Sequence, residues 1–210
     1  MTVTRLLCAS ANPGKVAEIA SLLQGVVTLV PRPPGIPDVV EDADTLIGNA
    51  RLKALAVLDS EENVDGLPAV ADDTGLFVDA LPGLLGVRTA RFASDDPGHA
   101  MDPDGRNRAK LLRLLEGRWH PQDRRAHFVT VALVCFRDGR EVLAEGRCDG
   151  HIAIDERGSG GFGFDPLFVP DVAPGVPGIR TFAETGAAEK NSVSHRGRAF
   201  RELTRRLADV

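Results

Sequence analysis

The sequence has no tyrosine, one tryptophan, two methionines and only three cysteines among its 210 residues. Cys8, Cys135 and Cys148 are far apart, and neither a C-x-x-C nor an H-E-x-x-H pattern occurs. A disulfide framework and a structural zinc site are therefore not expected. No apolar run approaches the ~18 residues of a membrane span, and the first residues contain no apolar stretch typical of a signal peptide. We expect a cytoplasmic protein without a membrane partner.

Lysine is also scarce, because only four of the 25 basic residues are lysines. A lysine retained in such a chain raises a functional question, since a guanidinium does not replace the compact charge of an ammonium. The net charge of −5 argues against a broad nucleic-acid-binding surface. The hydrophobic content of 43% suits a single domain over residues 1–210, within which a second lobe can form. The lysines are Lys15, Lys53, Lys110 and Lys190.

The pattern of apolar residues predicts an α/β fold with a mixed β-sheet. Helices alternate with strands in the first half of the chain, and the Asp138-Gly139 dipeptide predicts a hairpin in the second half. The predicted strands are 4–9, 26–30, 69–72, 76–81, 127–136 and 141–147; the predicted helices are one that begins at Asn12-Pro13, 45–58, 102–115 and 194–207; and residues 158–163 and 171–178 are predicted loops.

Residues 10–15 predict an anion site at the passage from the first strand to the first helix. Amide groups and the helix dipole favour a negative charge at such an N-terminus, and Lys15 adds a full positive charge. The segment is not a Walker A loop, because G-x-x-x-x-G-K is absent. The alternative is an ordinary strand–helix turn with a solvated lysine. The six residues are Ser10, Ala11, Asn12, Pro13, Gly14 and Lys15.

Two adjacent carboxylates, Asp72 and Asp73, follow an apolar run and precede Thr74. A divalent cation relieves the repulsion between neighbouring carboxylates, and hard oxygen ligands indicate Mg²⁺. Because ligands of open α/β sheets gather at strand ends, this position favours a metal site. The alternative is an acidic turn that caps the next element.

A polar stripe precedes these acids on the second predicted helix. Thr45, Asn49 and Lys53 are spaced four residues apart and therefore line one face. Such a stripe usually faces solvent. Glu41, just before it, is a candidate third carboxylate for the metal site.

The segment 158–166 matches G-x-G-x-x-G literally. A dinucleotide site is rejected, because no helix is expected to begin at Phe164-Asp165-Pro166. Phe162 and Phe164, on either side of Gly163, suit stacking on a base. The alternative is a loop whose phenylalanines fill the core.

Lys190, His195 and Arg196 lie just before and at the start of the last predicted helix. Positive charge at a helix N-terminus is unfavourable to the helix, which favours a functional over a purely structural interpretation. All three side chains can donate hydrogen bonds to a nucleotide.

Taken together, these segments resemble the inosine/xanthosine triphosphate pyrophosphatase family, in order and over the whole chain. Thr74 stands where serine is usual, Phe164 where tyrosine is common, and residues 171–180 form a longer loop than usual. The matching segments are the T/S-x-N-x-x-K loop at 10–15, the E-x3-T-x3-NA-x2-KA pattern at 41–54, DD(S/T)GL at 72–76 with GV at 86–87 and AR(F/Y) at 90–92, GFG(aromatic)DP at 161–166, T-x-AE at 181–184, and EKN followed by SHR at 189–196.

The resemblance implies an α/β fold with a long mixed sheet, two lobes with the nucleotide in a central cleft, and a homodimer. It implies a purine nucleoside triphosphate substrate such as ITP, dITP or XTP. Glu41 and Asp73 would hold Mg²⁺, and Asp73 would be the catalytic base for water that attacks the α-phosphorus. The implied substrate-binding residues are Ser10, Ala11, Asn12, Pro13, Gly14, Lys15, Lys53, Thr74, Phe162, Gly163, Phe164, Asp165, Lys190, His195 and Arg196.

Two alternatives stay open at this point. A Maf-like pyrophosphatase for other modified nucleotides would not explain Ser194-His195-Arg196. A non-catalytic nucleotide-binding module would not need the acidic set of Glu41 and Asp73.

Overall fold

A computed structural model describes residues 3–96 and 102–209, so both ends of the predicted 1–210 domain lie just outside the description. The chain divides into two compact units. Unit 1 comprises 1–73, 130–146 and 195–210, and unit 2 comprises 74–129 and 147–194. A single domain without a separate boundary stays a prediction.

Five α-helices and seven β-strands occur in the described residues. No described helix is long and apolar enough to cross a membrane. The helices are α1 (Pro13–Leu23), α2 (Leu46–Leu58), α3 (Pro103–Leu114), α4 (Ala187–Val193) and α5 (His195–Leu207); the strands are β1 (Arg5–Cys8), β2 (Thr28–Val30), β3 (Ala69–Val78), β4 (Arg125–Cys135), β5 (Glu141–Ile152), β6 (Phe168–Ala173) and β7 (Val176–Pro177).

The strands form one mixed sheet in the order β2-β1-β3-β4-β5-β6-β7. Strand β1 pairs in parallel with β2 and β3, whereas β6 is antiparallel to both β5 and β7. The prediction of an α/β fold with a mixed sheet is therefore confirmed.

The helix starts follow from local capping chemistry. The Asn12 side chain accepts a hydrogen bond from the Lys15 amide, with Pro13 at the first helical position. Thr45 caps α2 in the same way through the Gly48 amide. The two caps define the starts of the helices that carry predicted site residues, Lys15 on α1 and Lys53 on α2.

The structure corrects the predicted end of the third strand. We expected a strand 69–72 that ends at the acids and a separate extended segment 76–81, but β3 runs without a break through Asp72 and Asp73 to Val78. The antiparallel strands β6 and β7 contain much of the predicted loop 171–178. A short helix that was not predicted, α4, precedes the last helix. Pro177 lies in β7, the last strand of the sheet order, and an edge strand tolerates proline.

Each unit has its own hydrophobic core. In unit 1, the apolar faces of α1 and α5 pack on strand residues such as Leu6, Val70 and Val134. In unit 2, aromatic side chains dominate, and Phe168 contacts the rings of Phe128 and Phe182. The aromatic content of the second core provides the surroundings of the glycine-rich segment.

Candidate active site

The predicted anion loop ends in a lysine that faces an acid. Lys15, in the first turn of α1, places its Nζ 3.3 Å from Oδ2 of Asp72. Burial lowers the pKa of Lys15, and Asp72 opposes that shift. The lysine is therefore fixed at the N-terminus of α1, next to the amide groups that favour an anion.

Asp72 is buried in the middle of β3 between two cations. Arg196 donates to its Oδ2 from Nε at 3.2 Å and from Nη2 at 3.0 Å, in addition to the contact with Lys15. Burial by itself raises the pKa of this carboxyl, but Lys15, Arg196 and Lys53 outweigh it and hold the pKa well below its usual value. Asp72 therefore stays ionised.

Asp73 points to different partners, since consecutive side chains of a strand face opposite sides. Lys53 Nζ lies 2.8 Å from its Oδ1, and Asn49 Nδ2 lies 3.5 Å from its Oδ2. Burial raises the pKa of Asp73 above its usual value despite the opposing charge of Lys53. The stripe of Asn49 and Lys53 thus faces the acid and not solvent.

The two adjacent carboxyls therefore differ in basicity. Asp72 is held as a carboxylate, whereas Asp73 is the more basic of the pair. Environments that push two neighbouring acids apart in pKa separate their chemical roles. Asp73 is suited to accept a proton, and Asp72 to orient cations.

Glu41 and Asp73 converge on one cationic position. Lys53 Nζ lies 3.4 Å from Glu41 Oε1 and 2.8 Å from Asp73 Oδ1. Among the described residues, no group of three or more His, Cys, Asp or Glu side chains is arranged as a metal cluster. Two carboxylates are nevertheless the donor set that Mg²⁺ commonly takes, because it keeps several waters and adds substrate phosphates. The residues present therefore fit this ion.

In unit 2, Asp165 closes the glycine-rich loop and pairs with Lys190. Lys190 Nζ lies 2.5 Å from Asp165 Oδ2, which also accepts a hydrogen bond from the Phe162 amide at 2.9 Å. A Cβ at Gly161 would lie 1.9 Å from the same oxygen, so glycine is required at this position. The lysine also sits 5.0 Å from the centre of the Phe162 ring.

The two phenylalanines of the loop differ in exposure. Phe162 is half-buried, whereas Phe164 is buried in the core of unit 2. The geometry favours Phe162 for stacking on a base. For Phe164 it favours the alternative in which the ring fills the core, so the expected stacking by Phe164 is corrected.

The segment 190–196 is divided between α4 and α5. Lys190 lies in α4 of unit 2, while His195 and Arg196 begin α5 of unit 1. His195 and Arg196 are both buried. The start of α5 approaches β5 closely at Gly146, because a Cβ there would lie 2.1 Å from the His195 carbonyl oxygen. Thr74, half-buried, directly follows Asp73 in β3.

Glu18 is a site residue that the sequence patterns missed. From α1, its Oε2 lies 2.5 Å from Nη1 of Arg196, which is also bound to Asp72. Arg196 therefore donates hydrogen bonds to two carboxylates. Its expected hydrogen bond to the base of a nucleotide stays a prediction. No local signal marks Glu18, since its partner lies 178 residues away in the chain.

The fold and the site define an α/β protein with a buried acid–lysine cluster at the start of its first helix. The chain belongs to the Ham1 family, whose model matches residues 6–206. It is similar to the dITP/XTP pyrophosphatase of Desulforamulus reducens, at 45% identity over 94% of this chain and 92% of that relative. The dITP/XTP pyrophosphatase of an Anaeromyxobacter species is 42% identical, with 94% of both chains covered.

Solved structures agree with these relatives. A HAM1 protein from Coxiella burnetii superposes with a TM-score of 0.79 at 33% identity, covering 99% of this chain and all of that chain. A nucleoside-triphosphatase, dITP/XTP pyrophosphatase, from Mycobacterium abscessus gives a TM-score of 0.65 at 38% identity, with 95% and 97% of the two chains covered. The described fold is therefore that of Ham1 proteins.

Proposed function

We propose that this protein is a nucleoside-triphosphate pyrophosphatase that hydrolyses non-standard purine nucleotides. dITP, XTP and ITP would yield the monophosphate and pyrophosphate, which removes them from the nucleotide pool. The observation that carries the proposal is the pair Asp72 and Asp73, whose pKa values are pushed in opposite directions beside two lysines. The relatives named dITP/XTP pyrophosphatase support the same reaction.

The phosphates would be held by positive groups of unit 1. Lys15 lies in the first turn of α1, where the amide groups and the helix dipole favour an anion. Lys53 adds a second ammonium next to Asp73. The substrate-binding loop would be completed by residues Ser10, Ala11, Asn12, Pro13 and Gly14.

Asp73 would orient a water molecule and accept its proton during attack on the α-phosphorus. Asp73 is buried beside Lys53 and Asn49, and a carboxylate positioned in this way can act as a general base. Asp72 would hold Lys15 and Arg196 and remain ionised throughout. The proton from water thus ends on Asp73, and pyrophosphate leaves from the α-phosphorus.

Glu41 and Asp73 would hold Mg²⁺, whose chemistry is to neutralise charge that develops on the phosphate oxygens. Lys53, which contacts both carboxylates, would add its positive charge next to the phosphates. The ammonium and the ion would then share the compensation of the triphosphate charge.

Recognition of the base would rest on the glycine-rich loop and on hydrogen-bond polarity. Phe162 would stack on the purine, and Lys190 would lie beside it with Asp165. Hypoxanthine and xanthine carry an acceptor oxygen at C6, where adenine carries an amino donor. Donors from His195, Arg196 or Lys190 would then leave adenine unpaired, and such sites discriminate by roughly 10⁴-fold or more.

We also propose a homodimer in the cytoplasm, without nucleic-acid partners. The family resemblance supports the dimer, and the net charge of −5 argues against a nucleic-acid surface. Buried thiols at Cys8, Cys135 and Cys148 suit a reducing compartment. Light scattering after size exclusion tests the dimer through the molar mass.

The experiment that tests the reaction is pyrophosphate release from dITP, XTP and ITP, compared with dATP and GTP. We expect rapid turnover of the first three with Mg²⁺ and none after chelation with EDTA. Equal turnover of dATP would remove the proposed base selectivity. Release of orthophosphate in place of pyrophosphate would exclude the proposed bond cleavage.

A further inference from the structure

Gly163, the residue between the two loop phenylalanines, has both of its main-chain polar groups bonded to α3. Its N–H donates to Asp104 Oδ2 at 2.8 Å. Its carbonyl oxygen accepts from Arg108 Nη1 at 2.9 Å. One peptide segment of the proposed base site is therefore held from both sides by side chains of a helix that carries no residue of the site.

The two side chains form a matched pair on that helix. Asp104 and Arg108 are four residues apart and lie on one face of α3. Arg108 is further fixed by Glu156, whose Oε1 lies 3.0 Å from its Nε. The pair thus supplies one acceptor and one donor to the main chain of Gly163.

Gly163 has no side chain to pack, and the two hydrogen bonds from α3 restrain its main chain. A Cβ added to Gly163 would meet no heavy atom within 4 Å. The φ of Gly163 is +60°, a backbone conformation that favours glycine. The flanking residues are held differently, since Phe164 is packed in the core and the Phe162 amide is bonded to Asp165. The contacts from α3 restrain Gly163 itself, in addition to the bonds that join Phe162 to Asp165.

We propose that Asp104 and Arg108 are positioning residues that set the orientation of Phe162 for base recognition. The inference rests on the proposed function, in which Phe162 stacks on the purine. Both side chains contact the loop of unit 2 through Gly163. Their effect is expected on nucleotide affinity, because a pre-ordered loop does not lose conformational freedom when the base binds.

The test is a comparison of KM and kcat for XTP in variants of α3. Asp104→Ala and Arg108→Ala should each raise KM about tenfold, the size expected when a pre-ordered contact is lost, with kcat within about twofold of the wild type. Asp104→Asn keeps an oxygen that can accept from Gly163 and should restore most of the affinity.

Two matched controls lie on the same helix. Asp102→Ala removes the N-cap of α3, whose Oδ1 accepts from the Gly105 amide, and does not touch Gly163. Arg113→Ala removes an exposed ion pair with Asp96. Both variants should leave KM for XTP unchanged. Asp102→Ala should lower Tm, and Arg113→Ala should lower it less.

The outcomes separate the inference from the proposed function. Wild-type KM in both Asp104→Ala and Arg108→Ala, with XTP still hydrolysed, would overturn the inference alone. An equal rise in KM for Asp102→Ala would also overturn it, because general destabilisation of α3 would then explain the effect. A wild-type enzyme that releases no pyrophosphate from any of these nucleotides would overturn the proposed function itself.

Discussion

The two units bury charge in different ways. In unit 1, Asp72 forms ion pairs with Lys15 and Arg196. Asp73 forms one with Lys53. In unit 2, Asp165 faces the single ammonium of Lys190, which is flanked by the rings of Phe162 and Phe182. The first arrangement places three cations around two adjacent carboxylates and shifts their pKa values in opposite directions. The second places one carboxylate and one ammonium beside two aromatic rings.

This difference suits the two units to different parts of a nucleotide. A cluster with several cations can exchange its internal partners for phosphates, so it suits the chemistry of a polyanion. A single pair among aromatic rings offers a flat apolar face with one polar edge, so it suits a base. We therefore expect substitutions in unit 1 to affect the rate of the chemical step, and substitutions in the loop of unit 2 to affect affinity or stability.

The largest effect is expected for Asp73→Asn. The amide cannot accept the proton of the attacking water, so kcat for XTP should fall by at least ~10²-fold, with KM changed much less. Steady-state pyrophosphate release measures both constants. Asp59→Asn, at the exposed C-cap of α2, is the matched control and should keep the wild-type kcat. Wild-type kcat in Asp73→Asn would move the chemistry away from the cluster in unit 1.

Next in size is the loss of stability in Lys190→Met compared with Lys15→Met. Lys190→Met removes the ammonium opposite a buried carboxylate and should cost about 3–5 kcal/mol of unfolding free energy. Lys15→Met leaves Asp72 with Arg196, so the cost should be nearer ~1.5 kcal/mol, the value of one hydrogen bond to a charged group.

Urea denaturation followed by circular dichroism measures both free energies. The double variant Asp165→Asn with Lys190→Met should recover part of the stability that Lys190→Met loses. Equal losses in the two single variants would contradict the contrast between Asp72, which contacts both Lys15 and Arg196, and Asp165, which pairs with Lys190.

A smaller effect is expected from the two phenylalanines of the loop. Phe162→Leu should raise KM for XTP about tenfold, since stacking on one base contributes roughly 1–3 kcal/mol. Phe164→Leu should keep KM and lower the unfolding free energy by about 1 kcal/mol, because it only changes core packing. A tenfold rise in KM for Phe164→Leu instead would assign the stacking ring to the buried position.

Much of the fold follows from local signals in the sequence. Asn12-Pro13 and Thr45 are helix starts whose side chains cap the helix in the expected way. The Asp138-Gly139 turn lies between β4 and β5, with Gly139 at a φ of +85°. These features depend on neighbours in the chain, and a single sequence contains that information.

The set of site residues stays a prediction, and the contacts among them could not be predicted from the sequence. The acids were expected to end their strand, because isolated buried carboxylates are costly. Strand β3 passes through them because Arg196 compensates Asp72 from 124 residues away, which no local pattern encodes. Glu18 and the α3 residues that hold Gly163 were missed for the same reason.

The most direct test of the central claim is hydrolysis of XTP by the wild-type enzyme in H₂¹⁸O, with mass spectrometry of both products. Attack of water on the α-phosphorus predicts one ¹⁸O atom in the monophosphate and unlabelled pyrophosphate. Label in the pyrophosphate would place the attack on the β-phosphorus and contradict the mechanism built on Asp73, Lys15 and Lys53.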